Sequence, residues 1–473
     1  MIATVTPSTA YGTVQAPPSK SMAHRYLIGA ALSDGKSIVH NIELSQDILA
    51  TMDCIRALGG SCHEENGSVY VEGIGALLNQ KQNRIEGEAG AKSSAELSDA
   101  GVTMEAGDVA SGKEPGACRE YPCRESGSTL RFFMPISMLL AGKKSFIGSE
   151  VLVSRPLSVY EQIWEQQGLE FVKSAGCIET QGVLSAGEFE IAGNISSQFI
   201  TGLLFTLPVL SKDSIIKLIP PVESRSYIEL TLRALKAYGV SAKWLDENTL
   251  SIPGGQTYKA CEITTEGDYS NAAFLDAFSL IGGNVTVGGL DPDSLQGDKV
   301  YREYYKMLSE ASDVKLQLAM KLFGKDKKSA SDNQSSDAPN EYGDLPVMDL
   351  KDCPDLGPVL MTLAGLMGGA VFTGTRRLKM KESDRGRVMC EELARFGIDT
   401  RQEEDTIIVY PSNIHTPYEM VHGHNDHRIV MSMVLLMSVV GGSVDQAGAV
   451  SKSFPSFYEV IRTLGVQVTT DES

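Results

Sequence analysis

Arg377-Leu378-Lys379-Met380-Lys381-Glu382-Ser383-Asp384-Arg385 sets four cations and two carboxylates in nine consecutive residues. An apolar run, Met361–Phe372, leads into it, and apolar residues at helical spacing, Val388, Met389, Leu393 and Phe396, lead away. The order is therefore apolar helix, short β-like run, charged turn, second helix. A dense charge run can be no more than a solvated surface segment. Here four other stretches repeat the theme: Lys20-Ser21 with Arg25, Ser154-Arg155-Pro156, Asp426-His427-Arg428 and Ser451-Lys452-Ser453. Each lies beside a long apolar segment, where a bare cation is costly unless it meets an anion.

The same internal order recurs in six copies. A polar opening is followed by an apolar helix, a turn, a short β-like run and a second helix that closes at a Gly. The copies open at Ser19, Ser126, Ser196, Asp268, Asp355 and Asp426, and five of them close at Gly59, Gly168, Gly239, Gly397 and Gly465. The second helix of the fourth copy, from about Lys299, is less regular. Alternating stretches such as Val69-Tyr70-Val71-Glu72-Gly73 and Thr406-Ile407-Ile408-Val409-Tyr410 follow several copies and read as strands. Each unit is thus β-α-β-α-β-β, and the fold class is α/β in the broad sense that includes α+β. Residues 77–121, rich in Gly, Ser, Glu and Ala, and the low-complexity run 324–342 fall outside the pattern and read as surface insertions. Gly254–Asp268 reads as a crossing between domains.

The chain has 473 residues, 42% hydrophobic and 22% charged, a globular composition with room for two or three domains. With a formal net charge of −18, it has no basic excess to release phosphate counterions, so neither nucleic acid nor an anionic membrane is an expected partner. A small anion held by a few focused cations is compatible with that charge. Eight scattered cysteines without a Cys-x-x-Cys pair read as reduced thiols of a cytoplasmic protein. Met1–Ala10 has no basic region followed by an apolar core, so no signal peptide is expected. The most apolar runs, Gly357–Phe372 and Ile429–Val440, fall short of the roughly 20 residues a membrane-spanning helix needs.

Two motifs invite other readings. Gly107–Lys113 matches a phosphate loop except that Glu114 stands where Ser or Thr would ligate magnesium, and Pro115-Gly116 blocks the helix that should follow. His422-Gly423-His424-Asn425-Asp426-His427 spells the string of binuclear metallohydrolases, but no His follows 427 to complete a site. No Gly-x-Ser-x-Gly elbow is present, so covalent nucleophilic catalysis has no support.

The ordered set Pro17-Pro18-Ser19-Lys20-Ser21 with His24-Arg25, Ser154-Arg155-Pro156, Ser196-Ser197-Gln198-Phe199, Lys381-Glu382-Ser383-Asp384-Arg385, Asn425-Asp426-His427-Arg428 and Lys452-Ser453-Phe454-Pro455 resembles the 5-enolpyruvylshikimate-3-phosphate (EPSP) synthase family. The resemblance implies two domains of three repeats each, residues 1–17 with 268–473 and residues 18–267, with a cleft that closes on substrate. It implies transfer of the enolpyruvyl group of phosphoenolpyruvate to the 5-hydroxyl of shikimate-3-phosphate, with release of phosphate. Neither metal nor organic cofactor is implied, and the protein is expected to be a cytoplasmic monomer of the shikimate pathway.

Both substrates are phosphorylated carboxylates, and Arg forks suit such groups. By resemblance, Lys20, Ser21, Arg25, Ser196, Ser197, Gln198, Ser224, Asp355 and Lys381 contact shikimate-3-phosphate. Lys20, Gly127, Arg155, Gln198, Arg385, Arg428 and Lys452 contact phosphoenolpyruvate. Asp355 resembles the family's proton acceptor and Glu382 the carboxyl that handles the methylene proton, with Lys20 as a third catalytic group. On local grounds alone, Asp355 after Pro354 reads as a helix N-cap. Arg124-Glu125-Ser126-Gly127-Ser128-Thr129 departs from the usual Gly-Asn-Ala-Gly-Thr, and Arg377 stands where some members use Asn. Retention of Gly127 implies sensitivity to glyphosate, since a Cβ there would intrude on that longer ligand. The sister enzyme acting on UDP-N-acetylglucosamine usually bears a loop Cys where Glu150 stands here. A non-catalytic binder of phosphorylated carboxylates would have no use for Asp355 and Glu382.

Overall fold

The computed structural model describes residues 1–79, 118–323 and 344–471. The chain divides into two compact units, Met1–Pro17 with Gly267–Ser473, and Pro18–Glu266. Pro18–Glu266 holds three four-stranded sheets of one topology. In one, Arg119–Arg124 runs parallel to Lys143–Gly148, which pairs antiparallel with Cys177–Gln181, and that strand pairs antiparallel with Glu170–Ser174. Glu188–Ala192, Ser214–Ile219, Thr249–Ile252 and Lys243–Trp244 repeat this order. In the sheet of the first copy the parallel strand, Glu262–Thr264, comes from the far end of the unit. A parallel pair needs a crossover. The helices Gly127–Ser137 and Ser197–Thr206 supply it, and Lys20–Leu32 fills the same place ahead of Lys36–His40.

The other unit repeats the scheme. Val347–Asp349, Ala370–Thr373, Thr406–Val409 and Thr400–Gln402 form its four-stranded sheet. Gly442–Val444 and Gln467–Asp471 both pair antiparallel with Ile2–Thr6, and Val421 bridges Val444 in parallel, so the N-terminal strand completes the sixth copy. In the fourth copy the described residues form the parallel pair Tyr11–Gln15 with Asn284–Gly288, ahead of the helix Tyr301–Phe323. The β-α-β-α-β-β copies read from the sequence are thus the architecture, with the fourth described only as far as Phe323.

The polar openings of the copies are helix caps. The side chains of Ser19, Ser126, Ser196, Asp268 and Asp426 accept from the backbone N–H of Met22, Thr129, Gln198, Asn271 and Arg428. Such a cap satisfies one of the orphan donors at a helix start. The helices behind the caps are apolar around most of their circumference, and so they are buried on all sides. Phe132, Phe133, Trp164, Phe205 and Tyr258 anchor one core. Leu363, Phe372, Met389, Met431 and Leu435 anchor the other.

Two expectations fail. Asp355 is not an N-cap: it sits in the 3-10 turn Pro354–Leu356, and the helix Gly357–Leu366 has no side-chain cap. Pro358 in its first turn brings no N–H to satisfy, and the carboxylate is taken by Lys381 and Arg385. The segment 77–121 is not an insertion throughout. Its residues 80–117, including the phosphate-loop look-alike, lie outside the described residues, as do all of 324–342. Arg119–Arg124, however, is a sheet strand, and the buried ring of Tyr121 stacks on Phe146 at 4.9 Å. A strand of six residues is too short to stand out beside a Gly/Ser/Glu-rich run. Tyr121→Ala should cost roughly 3–5 kcal/mol of stability, read as a lower denaturant midpoint; an unchanged midpoint would remove this strand from the core.

Candidate active site

In Pro18–Glu266 the candidate side chains cluster on the first turns of the buried helices, where backbone N–H groups and the positive dipole end favour an anion. Lys20 opens its helix and lies 2.8 Å from Asp47 Oδ2. Arg25 is buried one turn on. It donates to Thr231 Oγ1 at 2.9 Å, the Ser21 carbonyl at 2.8 Å, the Tyr227 carbonyl at 3.0 Å and Thr201 Oγ1 at 3.3 Å. These acceptors are all neutral. Gly127 is the first residue behind the Ser126 cap, and a Cβ there would stand 2.9 Å from Arg155 Nη1 and 3.0 Å from Arg131 Nη1. The bare backbone is what allows two guanidinium groups so close.

Gln198 ties two first turns together. Its Oε1 accepts from Arg131 Nη1 at 3.0 Å and its Nε2 donates to Ser128 Oγ at 2.8 Å. Ser197 opens the helix that Ser196 caps. Arg155 ends the short helix Glu150–Ser154 in extended backbone, as expected of a residue before proline. Ser224, buried and at φ 54°, precedes the helix Arg225–Ala237. Arg124 turns to Gln46 and Asp53 at 2.8 Å each.

In the other unit Arg385 is the hub. It is 1% exposed, and its Nη1 donates to Asp355 Oδ1 at 2.7 Å, its Nη2 to Glu382 Oε2 at 2.5 Å and its Nε to Asp426 Oδ2 at 2.8 Å. Lys381 Nζ also reaches Asp355 Oδ1, at 3.1 Å. Arg428 Nη2 donates to Ser270 Oγ at 2.8 Å, while its Nε stands 3.6 Å from Asp355 Oδ1. Nε and Nη1 of Arg428 are buried without a hydrogen-bond acceptor among the described residues. Lys452 donates to the Asn425 carbonyl at 2.6 Å. The first turns behind Asp268 and Asp426 and the turn holding Asp355 thus meet in one polar cluster.

Charge sets the protonation states. Burial works to raise the Asp355 carboxyl, but Lys381, Arg428 and Arg385 outweigh it and hold the group well below the usual carboxylate range. Burial lowers Lys381, against the pull of Asp355. Asp298, in the turn Gly297–Val300, is pushed up to about 7 by burial and then by the Asp355 charge, against Arg428 and Lys381. The metal-like string is otherwise engaged. His422 Nδ1 pairs with Asp445 at 2.8 Å and His424 Nε2 with Glu392 at 2.9 Å. Among the described residues no three His, Cys, Asp or Glu side chains come together as a metal site.

Sequence reasoning did not single out Asp47, Arg131, Ser270 or Asp298. Asp47 carried one usable signal, an acidic side chain on the largely apolar buried face of the helix Gln46–Leu58. Ser270 carried none.

The sequence model of the EPSP synthase family, 3-phosphoshikimate 1-carboxyvinyltransferase, matches residues 5–93 and 88–461. A 3-phosphoshikimate 1-carboxyvinyltransferase of Clostridium beijerinckii is 36% identical over 467 residues, covering 97% of this chain and 96% of that protein. The protein of the same name from Clostridioides difficile is 33% identical over 470 residues, covering 98% and 97%. The solved EPSP synthase of Acinetobacter baumannii matches over 100% of both chains with a TM-score of 0.69 and 21% identity, a likeness of fold.

Asp298 provides a pH test. An acid whose folded value is raised to about 7 gives stability that is fully present below its unfolded value, about 4, and lost as pH rises through 7. Asp298→Asn should therefore raise the melting temperature at pH 8 more than at pH 5. Equal shifts at both pH values would mean that Asp298 ionises normally.

Proposed function

We infer from membership of the EPSP synthase family, to which this chain belongs, that it transfers the enolpyruvyl group of phosphoenolpyruvate to the 5-hydroxyl of shikimate-3-phosphate and releases phosphate. The enzyme thereby serves the shikimate pathway to aromatic amino acids. No helix among the described residues is long and apolar enough to cross a membrane. All eight cysteines are free thiols, which supports a cytoplasmic setting.

The proposed division of labour follows the family resemblance and the charge of each side chain. Lys20, Ser21, Arg25, Ser196, Ser197, Gln198, Ser224, Asp355 and Lys381 bind shikimate-3-phosphate. Lys20, Gly127, Arg155, Gln198, Arg385, Arg428 and Lys452 bind phosphoenolpyruvate, and Arg131 joins them because it shares Gln198 and the Gly127 turn. In the addition step the 5-hydroxyl oxygen bonds to C2 of phosphoenolpyruvate, its proton passes to Asp355, and C3 gains a proton from Glu382. In the elimination step C3 returns a proton to Glu382, the C–H pair re-forms the C2–C3 double bond, and the C2–O pair leaves with phosphate. Asp355 is a weak base while Lys381, Arg428 and Arg385 face it. Bound anions would draw those same cations and raise its basicity, tying proton transfer to occupancy. Lys20 supplies positive charge as the phosphate leaves.

The observation that carries this reading is Arg428. A buried guanidinium with two donors lacking acceptors among the described residues is expensive unless an anion completes it. The direct test is phosphate release from phosphoenolpyruvate, which must require shikimate-3-phosphate; release without it, or none at all, would sink the reading. Arg428→Ala should raise KM for phosphoenolpyruvate by about tenfold or more, since a hydrogen bond to a charged group is worth roughly 1.5–3 kcal/mol. Arg25→Ala should instead raise KM for shikimate-3-phosphate. If the two variants affect the same substrate, the assignment is wrong. Gly127→Ala crowds Arg155 and Arg131 directly, so it should weaken glyphosate inhibition and also raise KM for phosphoenolpyruvate. Glyphosate resistance with an unchanged KM would show that the two ligands do not share those guanidinium groups.

A further inference from the structure

The string His422-Gly423-His424-Asn425-Asp426-His427 is strained backbone. His424 and Asn425 are consecutive non-glycine residues in the left-handed region, at φ 50° and 51°. Such a conformation persists only where the surroundings over-determine it. Two carboxylates do so. Asp445 accepts from the Gly423 N–H and from His422 Nδ1, each at 2.8 Å. Glu392 accepts from His424 Nε2 at 2.9 Å and from the His422 N–H at 3.0 Å. Glu392 is buried at 1% exposure, and its other partner is Arg395 Nε at 3.0 Å. It therefore acts as a fixed post rather than a surface charge.

The loop so held carries the phosphoenolpyruvate side of this unit. Its Asn425 carbonyl accepts from Lys452 Nζ at 2.6 Å. The next residue, Asp426, caps the helix that begins His427-Arg428 and holds Arg385 through Nε at 2.8 Å and Nη2 at 3.1 Å. A lysine ammonium is a point charge on a flexible stem, so its location depends on its acceptor. The acceptor's location depends here on a left-handed turn that would relax if unbraced. Glu392 also lies on the helix Arg385–Arg395, so one rigid element carries both Arg385 and the post that shapes the loop.

We propose that Glu392, acting through His424, is a positioning residue: it holds the strained 422–425 turn so that the Asn425 carbonyl fixes Lys452 for phosphoenolpyruvate. The two histidines serve as braces for the loop. This rests on the enolpyruvyl-transfer reading. Neither Glu392 nor His424 is among the proposed substrate contacts, so their loss should act on binding of one substrate and spare the chemical step.

The test compares steady-state kinetics of wild type, His424→Ala, His424→Gln and Glu392→Gln, each checked for a native melting transition. His424→Ala should raise KM for phosphoenolpyruvate roughly tenfold, a loss near 1.4 kcal/mol. KM for shikimate-3-phosphate and kcat should change little. His424→Gln should recover most of the loss, because its amide Nε can still donate to Glu392. Should His424→Ala fail to fold, Glu392→Gln carries the same expected pattern with volume preserved. An active wild type together with an unchanged KM for phosphoenolpyruvate, or with equal rises for both substrates, overturns the brace alone. A wild type inactive with these two substrates overturns the enolpyruvyl reading and this proposal with it.

Discussion

A guanidinium removed from water must be compensated where it stands. Arg385, at 1% exposure, meets Asp355 through Nη1, Glu382 through Nη2 and Asp426 through Nε and Nη2. The Coulomb and hydrogen-bond gain offsets a desolvation cost of several kcal/mol per ion. Removing one partner would leave charge stranded in a low-dielectric interior, which is worth far more than the loss of a surface pair. The three carboxylates belong to separate elements. Asp355 precedes the helix Gly357–Leu366, Glu382 precedes Arg385–Arg395, and Asp426 caps His427–Val440. One buried cation therefore sets the spacing of two repeats.

The repeats explain why these polar and cationic groups fall where they do. In each copy the first helix is buried on all sides, so its flanks cannot present a site. Its N-terminal turn can, because the cap leaves further N–H groups and a positive dipole end beside polar side chains. Lys20, Gly127, Ser197 and Gln198 occupy such turns in one unit, and Ser270 and Arg428 in the other. The chain's charge of −18 does not oppose anion binding there, since the local field is set by these few groups.

Arg25 in one unit and Arg385 with Lys381 in the other differ in electrostatic setting. Arg25 is held by neutral hydroxyl and carbonyl oxygens, so its charge stays uncompensated by its own partners. Arg385 and Lys381 face carboxylates, which cancel much of the field but supply groups able to take and give protons. A cation set among neutral acceptors, like Arg25, keeps its charge for an anion. Cations set among carboxylates, like Arg385 and Lys381, favour chemistry that moves protons among charged groups.

What the sequence determined by itself was local. Ser19, Ser126, Ser196, Asp268 and Asp426 were legible as openings because a short polar side chain ahead of an apolar helix satisfies that helix's own N–H groups, and every partner lies within three residues. Periodicity then marked six copies, five of them closed by a Gly. The cationic motifs were legible as clusters that call for anions, but what holds the cations was not. Only the tertiary structure decided that Asp47 meets Lys20, that Ser270 meets Arg428 and that Glu392 braces His424. It also decided that Ile2–Thr6 completes the last copy and Glu262–Thr264 the first. Asp355 shows the boundary between the two. Its local context reads as a cap, and the cations folded around it took the carboxylate instead, because a buried charge pairs with the nearest opposite charge before it serves a neutral N–H.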